Sequence, residues 1–197
     1  MSSATDNRER ILEAANAIFS ECGLEGLSVR AIAARAGLST IGVYSHFKGK
    51  PGIMAALLID GFVRLGEAAQ WAAQNASTEE LLKAVVNGYI DFHRDNSAHY
   101  KLMFGMDRTQ FGDNETFRQI AAGSIEKLAN SIERLLPFDQ PADLALTQAF
   151  RVWTLMHGYV TLRDMGWFQH LNEQEWRNEV VAAVKQMLVG LTSPAHN

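Results

Sequence analysis

Apolar residues recur along this chain at intervals of three and four, the spacing of one face of an α-helix, and no alternating run long enough for a strand interrupts them. Ile11, Ala15, Ile18, Phe19 and Cys22 share the first such face, with Asp6 and Glu9 spaced as a capping box before it and Gly23 placed for a left-handed C-cap after it. On this stripe Cys22 is expected to be a small buried hydrophobe. Ser28 can cap a second helix that turns Ile32, Ala33 and Ala36 inward. Gly37 then permits a tight turn, Leu38 plugs the corner, and Ser39 caps a third helix from Thr40 to Phe47, held on the core by Val43 and Phe47.

Pro51 suits the first turn of a fourth helix, running through Ile53, Leu57, Leu58, Phe62 and Leu65 towards Gln74. Ser77 and Glu80 form another capping box ahead of Leu81, Leu82, Val85, Val86, Tyr89 and Phe92. The pattern then predicts a short helix around His99 to Met106, a polar loop from Asp107 to Asp113, and a helix capped by Asn114 that ends near Pro137. Two long helices follow, one from Pro141 to about Met165 and one from Asn172, with Glu175, to about Leu191. The fold class expected is all-α: a three-helix N-terminal head over residues 1–50, then a helical body over 51–197 whose linker helix occupies 51–74.

Charge changes this picture more than composition does. The 197 residues are 47% hydrophobic and 20% charged, an ordinary globular balance, and the net charge is −4. The sum conceals its distribution. Residues 1–27 carry 2 Lys/Arg against 5 Asp/Glu, residues 28–50 carry 4 against none, and residues 51–197 carry 12 against 17. A local basic patch on an acidic body suits specific seating on phosphates rather than general adhesion to DNA. With one cysteine there is no intrachain disulfide framework, and no apolar run is long enough for a membrane span, so a soluble cytoplasmic protein is expected.

Leu27 to Lys50, LSVRAIAARAGLSTIGVYSHFKGK, therefore reads as a helix-turn-helix whose second helix is about as long as the major groove is wide. With the FxxxG of Phe19 to Gly23, the SVRAIAARAGLS of Ser28 to Ser39 and the VYSHFKGK of Val43 to Lys50, the stretch from Ile11 to Leu57 resembles the TetR family of bacterial transcriptional regulators. That resemblance implies a homodimer whose heads bind DNA and whose variable C-terminal domain binds an effector that usually releases the DNA. It maps DNA-binding roles onto Ser28, Arg30, Ser39, Thr40, Ile41, Tyr44, His46 and Lys50. The chain departs from a common family pattern at Thr40, Ile41 and Gly42, where Lys or Arg, Gly or Ala, and Thr or Ser are frequent, so no operator sequence carries over. A second resemblance lies in Arg151 to Gly166, where Trp153, His157 and Gly158 look like the Trp/His-Gly C-terminal subtype of the family.

The recognition helix contains no Lys or Arg, and so lacks the bidentate arginine-to-guanine contact. Thr40 offers a hydroxyl, Ile41 an apolar surface for thymine methyls, and Tyr44 reach to a base or phosphate, while Arg30, His46 and Lys50 are cast as phosphate clamps. For the effector, the aromatic, Met and His residues Tyr89, Phe92, His93, Met103, Phe104, Phe111, Trp153 and His157 are candidates for a largely apolar pocket. The last two long helices carry apolar faces wide enough for a two-fold dimer interface.

The partners expected are thus a double-stranded operator, a small-molecule effector and a second copy of the chain. An activator, or a regulator answering to a protein partner, uses the same head. A helical enzyme or carrier is the weaker alternative, because no HExxH, Gly-rich phosphate loop or nucleophile elbow is present. No catalytic residue, metal or cofactor is expected.

Overall fold

The computed structural model describes residues 4–70, 77–105, 115–136 and 143–189, and within them the chain is helical with no strand. The elements are α1 (Ala4–Gly26), α2 (Val29–Ala36), α3 (Thr40–Phe47), α4 (Lys50–Gln70), α5 (Thr78–Asp95), α6 (Ser97–Phe104), α7 (Glu115–Glu133), α8 (Leu144–Asp164) and α9 (Glu173–Val189). Residues 71–74 of the expected linker, the loop Asp107 to Asp113, and the boundary residues Met106, Asn114, Pro137, Pro141 and Leu191 lie outside the described residues. Two compact units divide the chain. One comprises Met1–Val63 with Asn96–Ala121, the other Arg64–Asp95 with Ala122–Asn197.

In the first unit, local chemistry sets the short helices. Ser28 Oγ accepts from the Ala31 amide at 3.1 Å and Ser39 Oγ accepts from the Gly42 amide at 3.1 Å, so each short helix has an N-terminal donor satisfied. Gly37 takes the left-handed conformation (φ 65°, ψ 35°) that ends α2 and lets the chain turn into α3. The Arg10 guanidinium adds a charged cap from α1, donating to the Ala36 carbonyl at 2.7 Å. Ile11, Ala15, Phe19, Leu27, Ile32, Val43, Phe47, Ile53 and Leu57 form the buried core beneath these turns.

Three expectations at α1 are corrected. The helix already runs from Ala4, so Asp6 lies inside its first turn and acts on the helix dipole rather than as the cap. Gly23 has the positive φ that glycine permits (64°), but with ψ −160° it kinks the helix, which resumes to Gly26. The core-facing stripe stops at Phe19 and is taken up after the kink by Leu27, 1% exposed, which leaves Cys22 exposed as a free thiol.

Helix α6 is bound into this unit by a buried polar contact. His99, only 3% exposed, meets Asn16 Oδ1 of α1 through Nε2 at 2.9 Å and lies 3.5 Å from Asp60 Oδ2 of α4. Phe19 packs edge-on against its ring at 5.2 Å.

In the second unit, α5 begins at a complete capping box: the Ser77 amide donates to Glu80 Oε2 at 2.8 Å and the Glu80 amide to Ser77 Oγ at 3.3 Å. Helix α9 repeats the device with Asn172 and Glu175, at 2.9 and 3.0 Å. Leu81, Val85, Val86, Val152, Met156, Val160, Trp176, Val180 and Val184 pack α5, α8 and α9 together. Arg177 clamps that packing, donating to Asp91 at 2.7 Å, Asn87 at 3.0 Å and Glu173 at 2.7 Å. Among the described residues no helix is long and apolar enough to cross a membrane.

Replacing His99 by Ala should lower unfolding stability by about 2–3 kcal/mol, because it opens a cavity and removes the buried partner of Asn16. Urea denaturation followed by circular dichroism measures this; an unchanged midpoint would show that the contact contributes nothing.

Candidate nucleic-acid interface

Helix α3 has two sides of opposite character. Val43 and Phe47, 0% and 5% exposed, lock one side onto the core, and the Arg8 guanidinium covers the Phe47 ring from 5.1 Å. The other side shows Thr40, Ile41, Tyr44 and Ser45 to solvent, with Ile41 79% and Tyr44 56% exposed. Ser45 was not among the residues the sequence nominated. It follows Ile41 by four positions, which is the signal that puts it on the same face, and its Oγ donates to the Gly42 carbonyl at 2.8 Å.

Tyr44 is held in place by the turn that ends the helix. Lys48 adopts a left-handed conformation (φ 54°) and its amide donates to the Tyr44 carbonyl at 2.9 Å. Gly49 follows at φ 96°, and a Cβ there would lie 3.0 Å from Tyr44 Cε1, so the ring lies against the glycine backbone.

The cations around α3 are not equivalent. Arg35 forms a bidentate pair with Glu21, both bonds 2.6 Å, which raises the guanidinium pKa and holds the Glu21 carboxyl below its ordinary range. Arg30 and Lys48 are exposed. Lys50 is exposed as well and donates one bond, 3.1 Å, to the Leu24 carbonyl, leaving further ammonium protons for an anion. His46 is half-buried, and the Ser28 and Ser39 hydroxyls accept from helix amides while keeping a proton to donate. The result is an exposed helix face that carries no carboxylate of its own, with exposed cations and hydroxyls before and after it in the chain. Such a face can enter a groove while its surroundings hold phosphates.

The residues nominated for an effector pocket divide between the units. Tyr89, His93, Trp153 and His157 come together where α5 meets α8: Tyr89 Oη is 3.4 Å from His157 Nδ1, and the Trp153 and His157 ring centroids are 6.5 Å apart. His93 Nε2 sits 2.9 Å from Asp164 Oδ2, and Phe92 is buried in the same unit. Met103 and Phe104 lie on α6 in the first unit, where the Phe104 ring meets Tyr100 at 4.7 Å and Phe62 at 6.1 Å. Phe111 lies outside the described residues. Along α8 an open apolar groove of about 680 Å³ is lined by Phe150, Leu155, Gly158, Leu162, Phe168 and Met187 among others.

Burial, and then the nearby His93, push the His157 pKa below its ordinary value of 6.5. The unfolded chain therefore takes up the proton first as pH falls, so this residue's contribution is intact above about pH 6.5 and is lost progressively below it. Urea titrations at pH 7.5 and 5.5 should show a smaller drop in midpoint for His157→Asn than for the unsubstituted chain. Equal drops would remove His157 from the acid response.

A family model described as "Bacterial regulatory proteins, tetR family" matches residues 11–57, and one described as "Tetracyclin repressor-like, C-terminal domain" matches residues 82–188. The chain is 29% identical over 198 residues to the HTH-type transcriptional regulator BetI of Cronobacter sakazakii, covering 93% of this chain and 91% of that protein. It is 27% identical over 120 residues to the probable HTH-type transcriptional regulator YttP of Bacillus subtilis, covering 61% of this chain and 58% of that protein. The fold is also that of SmeT, solved as a complex with triclosan, with a TM-score of 0.58 at 20% identity over 96% of each chain. The chain belongs to the TetR family and is a DNA-binding transcriptional regulator.

Proposed function

We propose that this regulator is a repressor that binds a near-palindromic operator as a homodimer and leaves it when a small, largely apolar effector enters the helical body. The observation that carries the reading is the acid-free outward side of α3, with Arg30, Lys48 and Lys50 exposed in the acid-free stretch of chain that contains it. In this account residues 1–50 form the head, with Ser28, Arg30, His46 and Lys50 contacting phosphates and Ser39, Thr40, Ile41 and Tyr44 set at or towards the bases. Residues 51–197 form the effector-binding and dimerisation body. Its effector lies against Tyr89, Phe92, His93, Trp153 and His157. The complex of SmeT with triclosan supports a small apolar molecule as the class of effector.

A second copy is the occupant that best fits the groove on α8. Leu146, Phe150 and Leu162 are 41%, 47% and 42% exposed, and a Cβ built on Gly158 meets nothing within 4 Å, so the groove has room for a neighbouring helix. Two heads on one dimer raise the effective concentration at paired half-sites, which a single head with few base contacts needs. Effector binding then favours a state in which α4 holds the two recognition helices at a spacing the operator does not match.

Lys50→Ala should weaken binding to every duplex and reduce the slope of log affinity against log salt by about one, whereas Tyr44→Ala should weaken the selected operator more than a scrambled one. Fluorescence anisotropy at several salt concentrations reads both; unchanged binding by both folded variants overturns the docking. Phe150→Glu with Leu162→Glu should weaken self-association on the order of 100-fold, seen by sedimentation velocity. A dimer that persists at the original affinity places the interface elsewhere.

A further inference from the structure

Residues 1–27 are the acidic part of the head, yet one of their two cations stands beside α3. Arg10 is committed to the Ala36 carbonyl, 2.7 Å away. Arg8 is exposed and forms no ion pair with a carboxylate among the described residues. Its guanidinium lies 5.1 Å from the centre of the Phe47 ring, in the last turn of α3. The ring fixes where the charge sits, because a guanidinium stacked on an aromatic face gives up much of the freedom of a long exposed side chain.

The acids of α1 do not cancel this charge. On a helix the neighbours of Arg8 are the residues three and four positions away, Ala4, Thr5, Ile11 and Leu12, and none of them is charged. Asp6, Glu9 and Glu13 fall on other faces, and Glu21 is taken up by Arg35. The negative sum over residues 1–27 therefore conceals one side of α1 that carries a cation and no acid. That side meets the end of α3 at which Lys48 is exposed.

A helix about 10 Å across nearly fills a major groove about 12 Å wide, so the phosphates run past the flanks of a docked helix. A cation beside the helix, supplied by a neighbouring element, is placed to meet them. We propose that Arg8 is a DNA-backbone contact, and that its guanidinium, oriented by the Phe47 ring, holds a phosphate beside the C-terminal end of α3. Stacking uses the face of the guanidinium and hydrogen bonding its edge, so the group can stay on the ring while its N–H donors reach phosphate oxygens in their own plane. The inference rests on the head binding DNA and adds α1 to the surface that does so.

Three substitutions separate charge from packing. Arg8→Met keeps an apolar cover on Phe47 and removes the charge, Arg8→Lys keeps the charge without the planar fork, and Arg8→Ala removes both. Anisotropy of the full chain on a duplex selected from random sequences, at several salt concentrations, should show Arg8→Met binding roughly eightfold more weakly per bound head near about 0.1 M salt. The slope of log affinity against log salt should fall by about one per bound head. Arg8→Lys should keep the slope. The loss should be equal on selected and scrambled duplexes, because a phosphate carries no sequence information. Ethylation interference should lose one phosphate per bound head in Arg8→Met and otherwise keep its pattern. In circular dichroism melts Arg8→Met should follow the unsubstituted chain, and Arg8→Ala should melt lower.

An unchanged slope and ethylation pattern in Arg8→Met overturns the proposal and leaves Arg8 as a cover for Phe47. A loss confined to Arg8→Ala, in step with its lower melting temperature, overturns it as well, and so does a slope that falls equally in Arg8→Lys. An unsubstituted chain that binds no duplex instead overturns DNA binding by the head, and this inference with it.

Discussion

The seating of α3 by Val43 and Phe47 is the constraint on which the rest depends. Eight residues are too few for a helix to persist in water, so this one exists only because its buried pair is packed and its ends are closed. Ser39 closes one end through the Gly42 amide, and the left-handed Lys48 closes the other through the Tyr44 carbonyl. Once those are fixed, no freedom remains in which side chains face outward. The core beneath α3 thus determines its exposed face, because the burial of Val43 and Phe47 and the display of Thr40, Ile41, Tyr44 and Ser45 are one arrangement seen from two sides.

The same logic governs how the remaining helices are fixed. Arg10 ties α1 to the end of α2, and Arg35 ties α2 back to Glu21 of α1, so the helix preceding α3 is held by charged contacts at its C-terminal end. His99 holds α6 against α1 through Asn16 with Asp60 of α4 close by, a contact that specifies register because a buried polar group tolerates few alternatives. In the body, Arg177 performs a corresponding task for α5 and α9, while the hydrophobic packing supplies the bulk of the stability.

What could be read from the sequence was what is determined locally. The caps at Ser28 and Ser39, and the reciprocal boxes of Ser77 with Glu80 and Asn172 with Glu175, involve partners three residues apart, and each forms as its spacing indicates. Contacts made by distant residues were not legible. Arg35 and Glu21 are 14 positions apart and Lys50 and Leu24 are 26 apart, so neither pairing has a local signature. Cys22 fell on a helical stripe, but the periodicity could not show that the core beneath it ends at Phe19. Likewise, the aromatic and histidine residues of the body shared a chemistry without sharing a place: Tyr89, His93, Trp153 and His157 assemble between α5 and α8, whereas Met103 and Phe104 belong with α6.

In the proposed function, two copies of α3 carried by one dimer enter successive major grooves on one side of a duplex. Hydroxyl-radical footprinting of the full chain on a selected operator tests this most directly. It should reveal two protected segments whose centres are separated by about 10 base pairs or a small multiple of that helical repeat. A single protected segment, or protection spread evenly along the duplex, would contradict it.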